Sequence, residues 1–140
     1  MEPLSEGQRQ AVIACFHNVL AMFTTADQIK STHAKCMIRW GLQLGISPDS
    51  VSTEIPTVFR IPDSRTEKIR STFHLVLLIC LDHRIEDDEI DLAMLYADRI
   101  GLNRTLIGGL FQSISTAGYD EMNPDEMERE IVSFFDEYHD

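Results

Sequence analysis

The run Asp82-His83-Arg84-Ile85-Glu86-Asp87-Asp88-Glu89 has the side chains that hold a hard cation. Carboxylate oxygens suit Mg2+, Ca2+ or Mn2+ better than soft metals. Asp82, Glu86, Asp87 and Glu89 are therefore the candidate metal ligands, with water completing a loose shell. The spacing is not that of an EF-hand. Counted from Asp82, the third position is Arg84, the sixth is Asp87 where that loop needs glycine, and the twelfth is Ala93 instead of glutamate. The same acids also have a purely structural use. With Glu86 as a helix cap, Glu89 is the third helical residue, and its carboxylate can return to the backbone N–H of the cap. Ile85 and Ile90 then have the spacing of a hydrophobic staple. Acids in a first turn also oppose the helix dipole favourably, by ~0.3–1 kcal/mol each. Capping thus accounts for Glu89, and a cation site would centre on Asp82.

The other residues able to do chemistry read as structural. His17 and His74 sit beside apolar stripes, and no Glu-x-x-His of the di-iron type accompanies them, so they are expected at helix interfaces. His83 is expected to be exposed, and His139 lies at the terminus. Cys15, Cys36 and Cys80 are far apart in apolar helical patterns. An odd number without C-x-x-C spacing argues against a disulfide framework or a zinc site, and for small buried hydrophobes. The chain has no P-loop, no dinucleotide-binding glycine pattern, no G-x-S-x-G elbow and no H-E-x-x-H. The expectation is a protein that is not an enzyme.

Helical periodicity supplies the elements that must position these groups. Ser5 to about Phe23 reads as a first helix, with Val12, Cys15, Phe16, Val19 and Leu20 on one face. A second, about Ser31 to Leu44, presents Met37, Trp40 and Leu44, and Gly45 is placed to end it in the left-handed conformation. Ser47-Pro48 starts a short third helix to about Phe59. Ser64 and Glu67 have capping-box spacing at the start of the fourth, whose stripe is Ile69, Phe73, Val76, Leu77 and Cys80. Its stretch from Phe73 to Leu81 could pass for a buried strand; the continuous stripe argues for helix. The fifth runs from Asp87 to Ile100 and stops at Gly101. Asn103 can cap a sixth, in which Gly108-Gly109 costs about 1 kcal/mol per glycine and points to close packing or a kink. Asn123-Pro124-Asp125-Glu126 starts the last, expected to bury Met127, Ile131, Phe134 and Tyr138.

An internal repeat runs through this series. Phe16-His17-x-Val19-Leu20 recurs as Phe73-His74-x-Val76-Leu77, an offset of 57. Trp40 then matches Tyr96, Leu44 matches Ile100 and Gly45 matches Gly101, at an offset of 56. Repeat one covers about 5–59, repeat two about 62–117, and a C-terminal helix about 124–138, all within a single domain, 1–140. Two such units would pack about a pseudo-twofold axis into an all-α bundle of about seven helices, too few units for a solenoid.

The segment from Asp82 to Glu89, followed by a helix ending Ala97-Asp98-Arg99-Ile100-Gly101-Leu102, resembles the tellurite-resistance TerB-like family. Members commonly carry an Asp-Gly pair, an apolar residue two positions on, a small capping residue, and a glutamate four residues after the apolar one. Asp82, Ile85 and Glu89 match, while His83 stands in place of glycine and Glu86 in place of serine or aspartate. In the first repeat Thr25 or Ala26 takes the place of Asp82, and His33 that of Glu89. The resemblance implies a seven-helix domain, bacterial and cytoplasmic, associated with stress responses, that binds divalent metal through acids and has no catalytic activity.

Charge bounds the partners. The formal net charge is −11, with seven acids and one arginine in residues 82–98 and nine acids and one arginine in residues 120–140. Nucleic acid needs a dense basic face and is excluded as a partner; Arg60, Arg65, Lys68 and Arg70 form the only basic cluster. The longest apolar run is seven residues, too short to enter a bilayer as a span, and the start, Met1-Glu2-Pro3, lacks a secretory pattern. Two uses follow for the acids. Asp87, Asp88 and Asp91 would present an electronegative surface to a protein partner, or the loop around Asp82 would sense or buffer a divalent cation. A homodimer joined through apolar residues of the last helix, Phe135 among them, is a third possibility.

Overall fold

A computed structural model describes residues 4–24, 30–46, 58–81, 84–119 and 123–137. These form six helices: α1 (Glu6–Thr24), α2 (Ser31–Gln43), α3 (Arg65–Cys80), α4 (Asp87–Ile100), α5 (Leu106–Tyr119) and α6 (Pro124–Glu137). Among the described residues there is no strand, and the all-α class is borne out. The expected short helix before Phe59 falls largely on residues outside the described ones.

The long apolar run settles as α3 because that helix is surrounded. Ile69 and every residue from Thr72 to Cys80 are buried, and α1, α4, α5 and α6 all pack against it. A helix that is hydrophobic all round needs neighbours all round, and the run of buried residues is a sign of that position. The helix α2 lies outside this ring, against α1 and α4.

Local chemistry places the helix ends. Ser64 accepts the Glu67 backbone N–H on its side-chain oxygen at 3.1 Å, while the Glu67 carboxylate turns to Arg70 at 2.6 Å, so the expected capping box is only half made. Asn123 receives the N–H groups of Asp125 and Glu126 at 2.9 and 3.3 Å. Gly45 and Gly101 take φ of 76° and 89°, where a side chain would be strained. After each glycine the next N–H returns across the last turn, Ile46 to Gly41 O and Leu102 to Ala97 O, both at 2.8 Å. These are two matching Schellman closures.

One expectation about packing is corrected. Phe134 is 52% exposed, and its neighbour Phe135 packs against the core instead. The inward stripe of α6 is Pro124, Met127, Ile131 and Val132, and Phe135 continues it by one turn. Phe135 fits because Gly109 leaves room: a Cβ there would lie 2.9 Å from its ring. Tyr138 lies outside the described residues.

Candidate functional site

The face of α4 that meets the core carries Glu89, then Leu92, Ala93, Tyr96, Ala97 and Ile100. Glu89 therefore enters the interior in register with apolar residues, and it is only 1% exposed. A buried carboxylate needs donors, and three surround it. Trp40 of α2 donates its indole N–H to Oε2 at 2.7 Å, the Glu86 backbone N–H donates to Oε1 at 3.1 Å, and an Arg39 guanidinium nitrogen lies 3.4 Å from Oε1. The reach-back to the cap predicted from spacing is present, and a second helix is attached to it.

The neighbouring acids separate by direction. Glu86, Asp87 and Asp88 are exposed, and Glu86 also meets Arg39 at 3.2 Å. Asp91 accepts a hydrogen bond from the buried His33 at 2.9 Å while its carboxylate stays largely open to solvent. Of the metal set, then, Glu86 and Asp87 face out, Glu89 faces in, and Asp82 lies outside the described residues. Among the described residues no group of three or more His, Cys, Asp or Glu side chains converges as a metal site. Of the surface set, Asp87 and Asp88 are open, and Asp91 is shared with His33.

A second polar centre ties α6 to the bundle. Glu128 accepts from His74 of α3 at 2.9 Å and from the Gln8 amide of α1 at 3.2 Å, with Arg70 at 3.6 Å on its other oxygen. Burial raises the Glu128 pKa, but the hydrogen bond and charge of His74, the Gln8 amide and Arg70 outweigh it and hold the group below its ordinary 4.5. His74 is thus a helix-interface histidine. His17 is half-buried, and its Nδ1 is enclosed with no hydrogen-bond partner among the described residues.

An open groove of about 1080 Å³ lies between α1, α3 and the segment Val58–Asp63. Beneath it lies a chain of hydroxyl and amide groups. Asn18 donates to the Tyr96 hydroxyl at 2.8 Å, which meets Ser71 Oγ at 2.7 Å. The Cys15 thiol donates to the Ser71 carbonyl at 3.3 Å. Burial pushes that thiol up to about 12, against the pull of Ser71 and Tyr96, so it is no nucleophile near neutral pH. A smaller cavity of about 230 Å³ opens at His33 and Asp91. A histidine oriented by an aspartate is half of a general-base arrangement; among the described residues the lining offers no hydroxyl or thiol for it to activate.

Three contacts escaped the sequence reading: Trp40 with Glu89, His33 with Asp91, and His74 with Glu128, separated by 49, 58 and 54 residues. The one signal was Glu89 standing in the apolar register of α4. Comparison of the chain with protein-family models, curated proteins and solved structures found no match.

Proposed function

We propose that this protein is a non-enzymatic helical module of the TerB-like kind, working in a cytoplasmic, stress-associated complex through an acidic surface that receives a basic protein partner. The observation that carries the surface reading is the division at the start of α4. Glu89 is locked inside by Trp40, Arg39 and the cap, while Asp87 and Asp88 stay exposed on the same turn. Two charges held on a rigid rim attract an oppositely charged partner and raise its association rate more than its affinity.

The seven-helix, two-repeat architecture belongs to the same proposal. It is supported by the pairs Phe16–His17 and Phe73–His74, whose rings meet edge-on at 5.6 and 5.7 Å. The two glycine closures and the complete burial of both Trp40 and Tyr96 add to it.

Affinity capture with the wild type and with Asp87→Asn/Asp88→Asn tests the reading. Basic proteins retained by the first and lost by the second support it; equal recovery, or none, sinks it. A second reading keeps the cation, because Glu86 and Asp87 both reach solvent at the first turn of α4. The indole N–H of Trp40 bonds to Glu89 in that turn, so its fluorescence is the natural readout for a Ca2+, Mg2+ or Mn2+ titration. An unchanged signal, or one that Asp82→Asn does not alter, removes that site.

A further inference from the structure

We propose that the groove between α1 and α3 is the face through which two copies of this chain dock, the apolar lip of each lying over the floor of the other. This goes beyond the acidic rim of α4 and uses a different surface. The lip is made by Val58, 77% exposed, and Ile61, 53% exposed. Single exposed apolar residues are ordinary; these two are held out. The Asn18 side chain grips the intervening backbone, donating to Arg60 O and accepting from Arg60 N–H, both at 2.8 Å. Phe59 is turned inward, edge-on to Tyr96 at 6.3 Å. Asn18 and Tyr96 thus hold the two residues between Val58 and Ile61. Ala11 and Ala14 of α1 also line the groove, small side chains that leave room for a valine and an isoleucine.

Charge selects the occupant. With a net charge of −11, most faces of two copies repel one another. The groove is balanced: Glu67 and Arg70 pair at 2.6 Å, and Arg60 and Asp63, three residues apart on the lip, have opposite signs and no side-chain partner among the described residues. A twofold interface sets residue i against j and j against i, so Arg60 of each copy can answer Asp63 of the other. The basic partner proposed for the rim gains nothing at a lip without net charge.

Sedimentation velocity of the full chain, from micromolar to near-millimolar concentration, tests this directly. The expected result is a concentration-dependent shift from the 16.0 kDa monomer toward twice that mass. Val58→Asp/Ile61→Asp should weaken association by about tenfold or more with an unchanged circular dichroism spectrum, since both side chains are exposed. Arg60→Asp and Asp63→Arg should each weaken it, and the double exchange should restore it. Asp87→Asn/Asp88→Asn should leave it intact, which separates this proposal from the rim. A chain monomeric at every concentration overturns the proposal. So does a dimer indifferent to Val58→Asp/Ile61→Asp, or a double exchange no better than its parents.

Discussion

Glu89 combines two roles that usually belong to different residues, capping its own helix and anchoring the indole of another. Replacing it by alanine leaves a buried Trp40 N–H, the Glu86 N–H and Arg39 facing a gap. Loss of a charged acceptor should destabilise the fold by about 2–3 kcal/mol, measured by urea unfolding. Glu89→Gln, which keeps one acceptor oxygen but sets an amide N–H against those donors, should fall between. At the opposite extreme stand the thiols. Cys15, Cys36 and Cys80 are buried, and burial raises the Cys36 pKa too, against the pull of Arg39. A thiol-specific reagent at mildly alkaline pH should therefore label the native protein slowly and all three cysteines promptly once it is unfolded. Rapid labelling of the native chain would show that the helices covering them open readily.

At the scale of elements, the two adjacent glycines of α5 make opposite predictions. Nothing lies within 4 Å of a Cβ at Gly108, whereas one at Gly109 would strike the Phe135 ring at 2.9 Å. Gly108→Ala should stabilise the protein by up to about 1 kcal/mol, the propensity difference in a helix interior. Gly109→Ala should cost about 1–3 kcal/mol through overpacking. Combining it with Phe135→Leu should cost less than the two single changes together. Thermal melts of the four variants decide both points. Close packing explains the second glycine; the first has no packing reason in the structure.

The attachment of α6 has a pH dependence whose sign follows from Glu128. Its folded pKa is depressed, so the stability it contributes is present above its unfolded value and is lost as pH falls through the folded one. Wild type should melt above Glu128→Gln near neutral pH, and the gap should close below about pH 4.5. A gap constant across that range would mean that His74 and Arg70 do not favour the charged form.

For the whole molecule, a formal charge of −11 on 140 residues loads the folded state with self-repulsion. Raising salt from ~0.01 M to ~0.15 M shortens the screening length from about 30 to about 8 Å. The melting temperature should therefore rise over that range, while capture of a basic partner by the α4 rim weakens. A melting temperature that falls instead would give the ion pairs at Arg39, Arg70 and Arg104 more weight than the repulsion.

Sequence by itself determined what local physics controls. Apolar spacing specified helices, Ser64 and Asn123 marked starts, Gly45 and Gly101 marked stops, and the Glu86–Glu89 spacing specified a cap. Each is an interaction within a turn or two of chain, so neighbouring residues suffice to read it. Tertiary structure alone decided which side chains became partners. Nothing near Glu89 in the chain announces Trp40, and nothing near Glu128 announces His74 or Gln8. Whether Phe134 or Phe135 turned inward depended on the space left at Gly109. These are outcomes of how whole helices pack, where a carboxylate may be buried only if another helix brings the donor.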